Sequence, residues 1–310
     1  MIRCWDKTCS VSDFAELWNR SACTRHGFYP LTPSIVSNRI IKHPRFRPER
    51  LMIAFDKNKM IGLCHHDIVR EPYYDAAGVI EVILVDPSYR RNGIGSLLMN
   101  ATIDKLRSKK NNIKFIDGLG GWPYCPMYAC LINGSEPSGV ENDDRVTFSF
   151  FESFGFQPDR KSFIMQRRLN SPLPERPLET IFTTATDVRP GGESWLDECF
   201  SGWKLQNHYL LIQNTNIVSR AIFSRMVGLS TYTGIETYSL FGVHTPEPLR
   251  GRGLAKNNLI NLLYHIKTLG GELVELHVYT DNFPAVRLYE SIGFEIVGET
   301  TLLRLRMSDT

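Results

Sequence analysis

Residues 250–259 read RGRGLAKNNL, and residues 90–99 read RRNGIGSLLM. Each glycine-rich turn follows an apolar run, AAGVIEVILV over 76–85 and GIETYSLFGV over 234–243, that predicts a buried strand. Each also opens a segment of helical periodicity: Ile94, Leu97, Leu98 and Ala101 in one, Ala255, Leu259, Leu262, Leu263, Ile266 and Leu269 in the other. Gly270-Gly271 stops the second. A helix N-terminus leaves backbone N–H groups unpaired and carries partial positive charge, so phosphate binds there. Glycine lets the backbone curl close to the anion, and arginines add charge-assisted donors. The turns therefore read as pyrophosphate cradles. Neither has the spacing of the nucleoside-triphosphate loop or of the dinucleotide fingerprint. What both share is R-x-x-G-x-[GA]: Arg90, Gly93 and Gly95, then Arg250, Gly253 and Ala255.

Working outward, the same order of elements precedes each turn. SDFAELWNR predicts a capped helix, LMIAFDKNKMIGLCHHDI a pair of strands around Lys57-Asn58, and AAGVIEVILV the strand before the turn. ESWLDECF, NHYLLIQNTNIVSRAIFSRM and GIETYSLFGV fill those slots in the second half. This is an internal duplication of long period. Between the copies lies NSPLPERPLE, Asn170 to Glu179, whose prolines exclude helix and sheet interior. It reads as a linker between domains at 1–169 and 178–310, each large enough to bury its own core.

The second turn is followed by N-x-x-A-x-x-L-Y-x-x-x-G-F at Asn282, Ala285, Leu288, Tyr289, Gly293 and Phe294. With R-x-x-G-x-[GA] ahead of it, this constellation resembles the GNAT N-acetyltransferase superfamily, strongly over 236–299 and more loosely over 79–156. The resemblance implies an α/β (α+β) fold with two acyl-CoA N-acyltransferase domains, each a mixed sheet flanked by helices and splayed after the strand that precedes the turn. It implies acetyl-CoA as co-substrate. In the second copy the cofactor would be held by Phe241, Gly242, Val243, Arg250, Gly251, Arg252, Gly253, Leu254, Ala255 and Asn282. In the first it would be held by Leu84, Val85, Arg90, Arg91, Asn92, Gly93, Ile94 and Gly95. It also implies direct acetyl transfer to an amine, with Tyr289, neutral at pH 7, as proton donor to the departing thiolate.

The copies then diverge. Setting Gly155-Phe156 on Gly293-Phe294 puts Phe151 where Tyr289 stands, Asp144 where Asn282 stands and Thr147 where Ala285 stands. The first copy thus keeps its cradle and lacks the hydroxyl, so the chemistry is expected in the second. The first copy also carries an insertion, GGWPYCPMYACLINGSEPSGVENDD, with Trp122, Tyr124, Met127 and Tyr128, expected to cover the first domain's cleft or the domain interface. For the general base the sequence offers Glu236 before the second strand and Glu81 within the first, with His244 and His277 as alternatives. Counted from Val243, Glu236 falls one residue off register, which reverses its face unless a bulge corrects it.

Bulk properties narrow the rest. A formal net charge of +3 on 310 residues is too mild to indicate nucleic-acid binding. No long apolar run predicts a membrane span, and no leader pattern precedes the first domain. The 7 cysteines form no disulfide framework, and Cys125 and Cys130 lack zinc spacing, so no metal is expected and the setting reads as cytoplasmic. The expected activity is N-acetylation of a small or peptide-like primary amine by a monomer or homodimer. Asn19-Arg20, the insertion and FFESFGF resemble the bacterial antibiotic self-resistance branch, with thiol-biosynthesis acetyltransferases and a CoA-responsive binding protein as alternatives.

Overall fold

The computed structural model describes residues 1–22, 28–43, 46–69, 76–108, 112–119, 128, 139–177, 182–189 and 206–307. The expected helix ESWLDECF and all of the insertion between 120 and 138 except Tyr128 lie outside the described residues. No helix among the described residues is long and apolar enough to cross a membrane.

Two compact units result. The first gathers the described residues of 1–160 with those of 300–310, and the second gathers those of 161–192 with those of 203–299. In the first unit, helix α1 (Val11–Ser21) precedes strands β2 (Leu51–Asp56), β3 (Lys59–Val69) and β4 (Ala77–Val85), with β1 (Ile2–Cys4) on the outer edge of β2. The turn 86–93 follows, then helix α2 (Ile94–Leu106), β5 (Phe115–Gly118), the short β6 (Val140–Glu141) and helix α3 (Arg145–Glu152). β1 to β4 pair antiparallel and β4 pairs parallel with β5, which makes the sheet mixed. Ser10 caps α1 by accepting from the Ser12 and Asp13 amides, a device worth about 1 kcal/mol.

β7 (Gln157–Arg168) carries the chain from the first unit into the second, which contains β8 (Thr183–Arg189), β9 (Gln206–Gln213), β10 (Asn216–Arg225), helix α4 (Val227–Thr233) and β11 (Thr237–His244). Helix α5 (Leu254–Thr268), β12 (Leu273–Tyr279), helix α6 (Phe283–Glu290) and β13 (Glu295–Arg306) complete the chain. The hairpin between β9 and β10 turns on Asn214 and Thr215, both at positive φ, as a two-residue turn of the type matching strand twist requires.

The last strand of each unit comes from the other half of the chain. Residues 162–168 of β7 pair antiparallel with β12, so the second sheet is closed by a strand from the first half. Residues 303–306 of β13 pair antiparallel with β5 and close the first sheet. The exchange is reciprocal, in equivalent register: Glu275 faces Gln166 and Asp117 faces Arg304. The units therefore do not coincide with the contiguous spans 1–169 and 178–310. The proline-rich stretch is also bound rather than free. Arg176 Nε donates to Asn261 Oδ1 at 2.8 Å, and the Tyr264 hydroxyl donates to the Pro174 carbonyl at 3.2 Å, which fastens it to α5.

Each unit has its own core. α2 and α3 lay Leu98, Met99, Ile103, Leu106 and Phe151 against the first sheet, and α5 and α6 lay Leu259, Leu262, Leu263, Ile266, Val286 and Tyr289 against the second.

Candidate active site

The turns are alike residue by residue. Arg90 and Arg250 share φ −65° and ψ 159°, and each guanidinium Nε is tied back to the strand end, to the Val85 carbonyl at 3.1 Å and the Thr245 carbonyl at 3.2 Å. Arg91 and Gly251 then take left-handed conformations at φ +63° and +76°. Gly93 and Gly253 follow at φ +77° and +74°, each the N-cap of its helix. No side chain caps either helix, so the N–H groups over Ile94-Gly95 and Leu254-Ala255 face outward from an exposed turn. A Cβ on Gly251, Gly253 or Gly93 would meet nothing within 4 Å, which leaves the space a ligand needs above the backbone. Arg91, Asn92 and Arg252 are exposed beside it, and Asn92 braces its turn through the Tyr89 and Arg90 carbonyls. These residues fit the pyrophosphate of an acyl-CoA.

Behind each turn the sheet opens. β4 and β5 pair from Ala77↔Phe115 to Ile80↔Gly118, and β11 and β12 from Thr237↔Leu273 to Ser239↔Glu275. The parallel pairs stop short of Leu84 and Val85 in one unit and of Phe241, Gly242 and Val243 in the other, the strand ends along which an extended chain such as pantetheine would lie. Gly242 is left-handed at φ +58° and sits with Val243 opposite Ala221 in a bulge, where a Cβ would approach Ile222 Cδ1 to 2.8 Å. β4 has its bulge at Glu81, between Ile80 and Val82.

Tyr289 lies on α6, buried and packed on Phe294 at 5.8 Å between ring centroids. Burial pushes its hydroxyl up to about 12, so the proton is retained at neutral pH. Asn282 begins the same helix, exposed, without capping it through its side chain. In the first unit Phe151 is fully buried with its ring on Gly118, where a Cβ would stand 2.6 Å from Phe151 Cε1, and Asp144 caps α3 through the Thr147 amide.

Glu236 is placed away from this chemistry. It precedes β11 at the end opposite the turn, its carboxylate is held by Arg225 Nε at 2.6 Å and by Arg225 Nη2, and its carbonyl accepts from the Glu272 and Leu273 amides. The hydrogen bond from Arg225 holds its carboxyl below the usual range. In this structure a cross-strand ion pair with Arg225 occupies the carboxylate that the sequence offers as general base. A bulge at Gly242 does lie between Glu236 and Val243, so it is the place of Glu236 at the far end of the strand, not its register, that separates it from the turn.

Glu81 is buried at the opening of the first sheet, close enough to Tyr128 that its charge adds to burial in raising the tyrosine's pKa well above the ordinary value. Tyr128, the described residue between 120 and 138, packs inside the first unit. Its hydroxyl lies 2.8 Å from His65 Nδ1 and its ring stacks on Trp18 at 5.4 Å. Burial pushes His65 down to about 3, so that histidine stays neutral. The apolar-polar mixture of the insertion signalled burial, but nothing local in the sequence named His65 as the partner.

Comparison with known proteins agrees with this geometry. Residues 14–119 match the acetyltransferase (GNAT) family, and residues 231–303 match the FR47-like protein family. A mycothiol acetyltransferase of Brachybacterium faecium is 24% identical over 249 residues, covering 71% of this chain and 66% of the relative's length. A tandem GNAT protein from the clavulanic acid biosynthesis pathway shares the fold over 100% of both chains at TM-score 0.69 and 14% identity. The glucosamine N-acetyltransferase region of a fungal multi-domain β-N-acetylglucosaminidase does so over 98% of this chain and 38% of its own, at TM-score 0.72 and 16% identity. With two cradles and two splayed mixed sheets, the chain therefore carries a GNAT acetyltransferase domain over residues 14–119 and an FR47-like domain over residues 231–303, on the fold of a tandem GNAT protein.

Proposed function

We propose that the chain is an acetyl-CoA-dependent N-acetyltransferase that acetylates a primary amine of a small or peptide-like molecule, with its chemistry in the second unit. The observation that carries the reading is the pairing, in that unit, of an open cradle at Gly253 with a buried Tyr289 that retains its proton, against Phe151 in the first unit. Arg250, Arg252 and the amides over Leu254-Ala255 would hold the pyrophosphate, and the strand end at Phe241–Val243 would align the pantetheine arm. Bound acetyl-CoA supplies the thioester. As the amine nitrogen bonds to that carbonyl and the C–S bond breaks, Tyr289 would give its proton to the leaving sulfur and recover one through solvent, into which the attacking nitrogen sheds its own. In the first unit, Arg90 to Gly95 would hold a second acetyl-CoA without turnover.

The resemblance to a mycothiol acetyltransferase supports an acceptor of the thiol-biosynthesis class. An antibiotic amine is the competing acceptor. A thiol-release assay against cysteinyl amides, aminoglycosides and simple primary amines separates them. Acetylation of a hydroxyl with no amine turned over would overturn the reading.

A further inference from the structure

The first unit has phenylalanine rings where the arm of an acyl-CoA would enter its sheet. A ligand seated in the turn has to pass from the first turn of α2 to the opening between β4 and β5, and α3 packs on the same face of the sheet as α2. Phe150 of α3 meets α2 at Gly95: a Cβ there would stand 3.2 Å from Phe150 Cε2, 3.4 Å from Phe150 Cζ and 3.7 Å from Val85 Cγ2. The ring therefore touches the first turn of the helix beside the end of β4. Phe151, the next residue, lies on Gly118, where the parallel pairing of β5 with β4 ends. The two rings meet edge to face at 5.9 Å between centroids. Phe154 extends the row from Phe150 at 5.1 Å, and Phe156 backs Phe151 at 5.1 Å.

The second unit reverses these sizes. Setting Gly155-Phe156 on Gly293-Phe294 puts Leu288 at Phe150, Tyr289 at Phe151 and Ile292 at Phe154. The turns put Ala255 at Gly95, and the strand register puts Leu276 at Gly118. One ring thus remains on α6 and the turn after it, where the first unit has three. An extended chain that pairs with a strand end lies a strand's spacing away, about 4.8 Å. Rings in contact with Gly95 and Gly118 take that space in the first unit, and an interior packed this closely admits no further chain unless a side chain moves. The turn itself stays open, with nothing within 4 Å of a Cβ on Gly93.

We propose that the first unit is a nucleotide-end site: Arg90 to Gly95 hold the pyrophosphate of a CoA-type ligand, and Phe150 is the specificity-determining residue that keeps the pantetheine arm outside the sheet. The proposal rests on the reading above that the first turn binds CoA. Such a site is indifferent to the acyl group. It takes acetyl-CoA, free CoA and a nucleoside diphosphate without the arm alike, so it responds to the sum of these forms while the second unit consumes one of them. No bond forms or breaks there.

The test uses the full chain carrying Gly253→Val, and the first site is the calorimetric binding that disappears when Gly93→Val is added. Acetyl-CoA, CoA and the phosphoadenosine diphosphate fragment of CoA, which ends at the pyrophosphate, are expected to bind it within about threefold of one another. An isotope-labelled acetyl methyl on the bound acetyl-CoA should keep the narrow resonance and the chemical shift of the free ligand. Phe150→Leu installs the residue of the second unit and should let the arm in, raising the preference for acetyl-CoA over the fragment about tenfold or more. A fragment already tenfold weaker than acetyl-CoA before that substitution, or a preference that Phe150→Leu leaves unmoved in a folded chain, overturns the proposal. Absence of any binding that Gly93→Val removes overturns it as well, with amine turnover by the wild type still standing for the second unit. A wild type inert toward every amine overturns the acetyl-transfer reading and leaves the exclusion of the arm to these binding measurements.

Discussion

Replacing Arg304 by Gln tests the strand exchange, because the residue sits on the last strand of the sequence and its partner belongs to the first unit. Asp117 is fully buried, and Arg304 meets it with two hydrogen bonds while also pairing with Asp159. Removing one partner of a buried ion pair costs about 3–5 kcal/mol. Glutamine can still donate one hydrogen bond, as Gln166 does to Glu275, so the lower figure, about 3 kcal/mol, is expected at pH 8. The deficit should depend on pH. Burial pushes Asp117 up to about 6, against the pull of Arg304, whereas in the unfolded chain it titrates near its ordinary value. Its folded pKa is the higher, so the stabilising protonated form is fully present below about 4, and that contribution is lost as the pH rises through about 6. Without Arg304 the folded pKa climbs further, so the variant should approach wild type at pH 5, within about 1 kcal/mol, and diverge as the aspartate is forced to ionise. Urea unfolding followed by circular dichroism at pH 5 and pH 8 measures both. Asp117→Asn in the Arg304→Gln background should recover most of the loss. An unchanged midpoint at pH 8 would refute the pairing of β13 with β5.

At the cradle, Gly253→Val meets no steric obstacle, but it forces a branched residue to φ +74°, a strain of about 1–3 kcal/mol. The turn should shift and calorimetry should register one acetyl-CoA per chain in place of two; an unchanged isotherm from a folded variant would place the cofactor elsewhere. Glu236→Gln should leave kcat within about twofold of wild type, since its carboxylate serves Arg225 away from the opened sheet. A loss of 100-fold or more with the fold retained would return it to the mechanism.

The cradles were legible because their signals are local. Glycine at left-handed φ, arginine three residues before it and helical periodicity after it all lie within one stretch of chain, and Arg90 and Arg250 adopt the same dihedral angles. The Lys57-Asn58 hairpin was readable for the same reason. Strand exchange was not. SFIMQRR over 162–168 and LRLR over 303–306 state that each is a half-buried strand, but period and propensity are silent on which sheet edge receives it. The proximity of Glu236 to the strand was visible, whereas the hydrogen bond from Arg225, 11 residues earlier, is a property of the β10–β11 pairing. Tyr128 meets His65 across 63 residues, a contact that no local pattern encodes.

The central claim, that the second unit performs acetyl transfer with Tyr289 as the thiolate's proton donor, is tested most directly by Tyr289→Phe in a side-by-side measurement of turnover and acetyl-CoA affinity. The change keeps the ring against Phe294 and removes only the hydroxyl. A fall in kcat of about 100-fold or more with unchanged affinity is predicted. Near-normal turnover in that variant, at several pH values and with chemistry rate-limiting, would contradict the claim, and a simultaneous collapse in folded Arg90 or Gly93 variants would move the active site to the first unit.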